Sequence, residues 1–163
     1  MLAAYALGHL LGVSVFLGAT VMLALLLPSV GKEATDPVAR REQYAAVFRI
    51  YDPIAIAALG VVVMTGAWSL TAYKAAMGPE FGRVASQLAG KLGLAFFVVM
   101  FGVYLSMGIC HRIVRAAQGA LPITDAGLAG QIRRLQASAW VTIAVTAFTM
   151  WYSISGRVMA GAS

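Results

Sequence analysis

The stretch Leu2–Val30 reads LAAYALGHLLGVSVFLGATVMLALLLPSV and contains no formal charge. A helix rising 1.5 Å per residue needs about 20 apolar residues to cross roughly 30 Å of hydrocarbon, so this run is long enough to span a membrane. Its one group that titrates near neutral pH is His9. His9 lies about 10 Å along the helix, inside the apolar slab, where an ionisable side chain is costly and points to function. At 100° per residue, Tyr5, Gly12, Val13, Phe16 and Thr20 fall on the His9 side. Gly8 and Gly12 form a GxxxG, and Ser14 and Gly18 repeat the small-xxx-small spacing, so the helix is built for close approach and His9 is expected to face protein.

The remainder of the chain agrees with a membrane solvent. Of 163 residues, 61% are hydrophobic and only 11% charged, outside the range of soluble domains. The net charge of +6 does not point to nucleic acid, because the basic residues sit in short stretches between apolar runs. The first run lacks a basic leader and is longer than a signal-peptide core, so it is expected to remain as a helix. The single cysteine, Cys110, rules out an internal disulfide and a cysteine-cluster metal site.

Three further spans follow. Asp36 before Pro37 makes a cap and first-turn pair, so a helical extension is expected there. Arg49 and Asp52, three apart, are placed to pair at the membrane edge, and Pro53 either kinks that helix or starts a fresh one capped by Asp52. MGPEFG at 77–82 is a turn. Lys91 opens the third span, and Val98, Gly102, Ser106 and Gln87 share its side of the wheel, with His111 about 160° away. Thr124 or Asp125 caps the fourth helix, whose hydroxyls Ser138, Thr142, Thr146, Thr149 and Ser153 form a stripe expected to hydrogen-bond to its neighbours.

One transmembrane domain over 1–163 results, with spans at about 2–30, 53–75, 90–111 and 133–157. The fold class is all-α, an integral membrane antiparallel four-helix bundle. The loops after spans one and three hold Lys32, Arg40, Arg41, Arg49, Arg112, Arg115, Arg133 and Arg134, against Lys74, Arg83, Lys91 and Arg157 on the opposite side. That bias puts both termini outside and the basic loops in the cytoplasm. A bacterial inner membrane is the expected location.

This topology gathers His9, Tyr5, Thr65, Trp68, Lys91 and the segment from Met150 to Ser153 in the outer half, and keeps His111 at the other face. Imidazole at His9 suits haem b, with Lys91 as propionate partner or second ligand. Copper bound by His9 with thioethers such as Met64 or Met150 is the alternative, and a cofactor-free accessory subunit the third reading. No acidic pair, catalytic triad or phosphate loop is visible in the spans.

The run GHLLGVSVFLGATVMLALLLP at 8–28, with Phe48–Arg49 opening helix two, Thr65–Gly66 towards its end and Lys91–Leu92 opening helix three, resembles the four-helix membrane modules of copper-resistance protein D. The layout is also similar to the HemJ type of protoporphyrinogen oxidase. That resemblance implies a haem b with functional roles falling on His9 and Lys91. Ser14, Val15 and Phe16 stand where HemJ proteins carry a Ser-Trp-Met-Ala-Gly run, which favours electron transfer over tetrapyrrole oxidation. The expected partners are the lipid bilayer and a second copy or a larger membrane complex.

Overall fold

The computed structural model describes residues 2–32 and 34–160. The side chains of 2, 85–87 and 154–160, with Gln87 and Arg157 among them, lie outside the described residues. Helix α1 spans Leu2–Leu26, α2 Pro37–Met77, α3 Phe81–Val103, α4 His111–Ala117 and α5 Asp125–Ala160. A 3-10 turn at Gly78–Glu80 joins α2 to α3, and a π-helical turn at Tyr104–Cys110 joins α3 to α4. No strand occurs among the described residues, so the chain is all-α. Three stretches, Ala3–Leu26, Pro37–Val84 and Leu88–Ala117, are long and apolar enough to cross a membrane.

The helix ends follow local chemistry. Past Leu26 the chain turns, with Ser29 Oγ donating to the Leu26 carbonyl at 2.8 Å and Gly31 taking a left-handed φ of 76°. Asp36 caps α2 as its sequence implies, its oxygens accepting from the Val38 and Ala39 amides at 3.3 and 3.1 Å, with Pro37 in the first turn. Thr124 caps α5, its Oγ1 accepting from the Gly127 amide at 3.1 Å.

Helix α2 passes through Pro53 without a break, so Asp52 is an interior residue and not a cap. At about 1.5 Å per residue its 41 residues reach about 60 Å, twice the hydrocarbon thickness. The charged turns before Pro53 therefore form the extension outside the apolar part. Arg49 pairs with Glu42 at 3.3 Å, and the expected Arg49–Asp52 pair is not formed. Asp52 turns instead towards a buried hydroxyl, accepting from Ser106 Oγ at 2.9 Å.

Small residues set how closely the helices approach. A Cβ on Gly12 would stand 2.9 Å from Val62 Cγ2 and 3.2 Å from the Ala58 carbonyl; one on Gly8 would stand 3.2 Å from Thr65 Cγ2. The GxxxG of α1 is thus the seat of α2, and the pairings of Gly8 with Thr65 and of Thr20 with Tyr51 show α2 running back along α1. Ser14 and Gly18 point away, with nothing within 4 Å of a Cβ at Gly18. Helix α3 meets both at Gly102, where a Cβ would lie 2.7 Å from Leu59 Cδ1 and 2.9 Å from Phe16 Cζ. Gln136 of α5 donates across to the Ala24 carbonyl of α1 at 2.8 Å. Around this core of Phe16, Leu23, Phe48, Leu59, Leu105 and Ile109, the outward leucines, valines and phenylalanines stand exposed, a surface suited to lipid.

Two wheel-based expectations change. The hydroxyl stripe of α5 does face inward, with Thr142 and Thr146 buried, but Thr142, Thr146 and Thr149 donate to the carbonyls of Ser138, Thr142 and Val145 on their own helix at 2.7–2.8 Å. The neighbouring turn offers each hydroxyl an acceptor four residues back, and no bond from these three to a facing helix occurs among the described residues. The π turn, in which the His111 amide reaches the Ser106 carbonyl five residues back, rotates everything after it, so the 160° assigned to His111 does not hold. His111 is exposed and still lies about 30 Å along the helix from Lys91, so the two remain in separate layers.

Candidate functional site

His9 is held between α1 and α2, half-buried. Its Nδ1 lies 3.0 Å from the Val62 carbonyl and 3.2 Å from Thr65 Oγ1. A carbonyl only accepts, so Nδ1 carries the proton. The Thr65 hydroxyl is already committed, donating to the Val61 carbonyl at 2.6 Å, and its oxygen can accept from the same Nδ1. In the neutral imidazole the lone pair is therefore on Nε2. This is the arrangement found at metal-ligating histidines, where a backbone carbonyl holds one ring nitrogen and fixes which nitrogen is left to coordinate.

The ring needs room on α2, and Gly66 provides it: a Cβ there would stand 3.4 Å from His9 Cε1. Thr65 and Gly66, neighbours in sequence, thus form the two sides of the His9 seat. One turn nearer the N-terminus of α1, Tyr5 packs on Trp68 with ring centroids 5.6 Å apart. Four of the five expected site residues, His9, Tyr5, Thr65 and Trp68, come together at the start of α1 and the end of α2.

Lys91 sits differently. It is half-buried on the same face of α3 as the buried Val98 and Gly102, as its spacing implied, and has no hydrogen-bond or ion-pair partner among the described residues. At that end α3 packs on α5, where a Cβ on Gly90 would lie 3.5 Å from Tyr152 Oη and Phe148 stacks with Tyr152 and meets Trp151 at a tilt. No hydrogen bond or aromatic contact among the described residues links this group to the His9 group. No cluster of three His, Cys, Asp or Glu residues occurs among the described residues either.

A second polar cluster was not legible from spacing. The Asp52–Ser106 bond joins α2 to the π turn, beside the buried Tyr51 and Cys110. Tyr51 Oη in turn lies 3.4 Å from Thr20 Oγ1 of α1, and Thr20 also donates to the Phe16 carbonyl at 2.8 Å. The partners are 54 residues apart in the chain, so the one sequence signal was the polar pair Ser106 and Cys110, four apart on one helical face. Ser106 is fully buried, and removing its hydroxyl deprives the Asp52 carboxyl of its partner. Ser106→Ala is expected to lower stability by about 1–3 kcal/mol in a denaturant titration of the detergent-solubilised protein. Ser106→Thr, which keeps the hydroxyl, tests whether the loss is the hydrogen bond: a loss as large as that of Ser106→Ala would assign the effect to packing.

No family model, no curated protein and no solved structure matches this chain.

Proposed function

We propose that the chain is a multi-pass inner-membrane protein, an antiparallel four-helix bundle with both termini outside, that binds one haem b through His9 Nε2 and transfers electrons. In this reading the apolar part of α5 is the fourth span, and the module is of the copper-resistance D and HemJ-like type. The observation that carries the proposal is the His9 Nδ1 bond to the Val62 carbonyl, which leaves the other ring nitrogen as the coordinating atom.

The donor set favours haem over copper. A haem brings four ring nitrogens to its iron and asks the protein for one axial imidazole. A bare copper ion asks for several protein donors, and no group of three His, Cys, Asp or Glu is gathered among the described residues, so thioethers such as the exposed Met64 would have to complete it. When bound, haem iron supplies a one-electron couple. The protein's own part is to hold His9 in one tautomer through Val62 and Thr65, to flank it with Tyr5 and Trp68, and to offer Lys91 to a propionate or as second ligand.

A cofactor-free accessory subunit is the second reading, favoured by one observation: Ser14 and Gly18 form a small-residue surface on α1 that stands exposed among the described residues. One measurement separates the three. The protein purified in detergent is expected to show a Soret band, sharp bands on dithionite reduction and about one iron per chain. Copper without a Soret band would move the assignment to copper handling. A colourless, metal-free protein with a fixed partner would move it to the accessory subunit.

A further inference from the structure

Far from His9, where α1 ends and α2 and α5 begin, an open cleft of about 630 Å³ is walled by Leu27, Leu128 and Ile132. Its charged lining is Lys32, Arg40 and Arg133, with Asp125 as the one carboxylate among the described residues. These cations come from three separate segments, the loop after α1, the first turn of α2 and the first turns of α5, so the tertiary fold alone assembles them.

Arg40 is built into this cleft. Gly31, at a left-handed φ, lets the loop close over the arginine stem, since a Cβ there would stand 2.9 Å from Arg40 Cγ and 3.0 Å from Tyr44 Cε2. One guanidinium nitrogen, Nη2, donates to the Ala34 carbonyl at 2.9 Å. The Nε is buried and has no hydrogen-bond partner among the described residues. That sealed Nε anchors the stem and does not itself face the cleft; the half-buried guanidinium lines it as a fixed positive charge suited to a phosphate, and Lys32 and Arg133, both exposed, add charge around it.

We propose that this cleft binds the phosphate of one anionic phospholipid, with Arg40, Lys32 and Arg133 on the head group and the Leu27, Leu128 and Ile132 wall against its glycerol and upper acyl region. The cleft joins a largely apolar wall to a basic rim at the end of the membrane-crossing helices, the place where a lipid changes from hydrocarbon to phosphate. A free phosphate ion would use the rim and leave the wall without a role.

The test uses the full chain in nanodiscs of phosphatidylcholine with a few per cent phosphatidylglycerol. Lipid retained after extraction into mild detergent is counted by native mass spectrometry. One phosphatidylglycerol per chain is expected, retained in preference to phosphatidylcholine. Each basic residue removed is expected to weaken retention about fivefold, so Lys32→Gln with Arg133→Gln gives roughly a 30-fold loss. The pair Arg112→Gln and Arg115→Gln, exposed and outside the cleft, should leave retention unchanged and controls for general surface charge. Equal retention of the two lipids, equal losses in the two double variants, or full displacement by millimolar inorganic phosphate would each overturn the proposal. His9→Ala should not alter retention, so this outcome is independent of the haem assignment.

Discussion

His9→Ala is expected to abolish haem absorbance in the purified protein while leaving its expression and fold intact. The two effects separate because they draw on different bonds. As a structural element, His9 contributes one bond from Nδ1 to the Val62 carbonyl, shared with Thr65 Oγ1. Interhelical hydrogen bonds in membrane proteins average about 0.6 kcal/mol, well below what would unfold the chain. In the proposed haem site its Nε2 would be the axial donor, and alanine offers nothing in its place. A thermal melt within a few degrees of wild type with no Soret band is the expected pair of results. Retained absorbance would remove His9 from the iron. Loss of the fold together with the colour would leave the ligand role unresolved in that variant, and Thr65→Val then decides. It perturbs the seat of the ring while the Val62 carbonyl remains, so haem affinity is expected to fall about 10-fold or more with stability retained. Unchanged affinity in that variant would count against the site.

The second large effect is expected at Gly102. Here α1, α2 and α3 meet with no space for a side chain: the missing Cβ would lie within 2.7 Å of Leu59 Cδ1 and 2.9 Å of Phe16 Cζ. Both neighbours are buried, at 4% and 1% exposure, so neither can swing aside without displacing others. Gly102→Ala should cost about 1–3 kcal/mol and Gly102→Leu more, since a leucine has to part α3 from the other two helices. In a membrane this packing is not one stabilising force among many, because lipid chains are as apolar as leucine and contact between helices is what holds them together. Gly18→Ala and Gly60→Ala are the controls, with nothing within 4 Å of either Cβ. They are expected to be neutral or slightly stabilising, as alanine favours helix over glycine. Equal losses at all three positions would show that helix α3 does not pack as described.

Much of this was legible along the chain because the deciding signals are local. The caps at Asp36 and Thr124 depend on side chains two or three residues from their amides. The GxxxG at Gly8 and Gly12 marks a face built for close approach without naming the neighbour, which proves to be α2, and Phe16 and Thr20 on the His9 side of the wheel are buried. The Ser14–Gly18 pair carried the same spacing and faces out, because spacing marks where a helix can approach and not whether one does. Errors gathered where a distant partner or a change of helical geometry intervened. Proximity in sequence points Asp52 to Arg49, yet Asp52 bonds Ser106 across the helix interface. The angle that regular helix spacing implies for His111 is removed by the π turn.

The sequence by itself determined an all-helical chain with apolar segments of membrane length, the positions of its caps, and a lone histidine within an uncharged run. These follow from hydropathy and from contacts within a turn or two, which are written in order along the chain. Only the tertiary structure decided that Val62 and Thr65 hold Nδ1 and so leave Nε2 for coordination. It alone paired Asp52 with Ser106 and brought Lys32, Arg40 and Arg133 to one cleft. Each of these arrangements joins residues from different helices, and where such helices meet depends on small-residue contacts such as Gly12 with Ala58 and Gly102 with Leu59, whose register no single helix specifies.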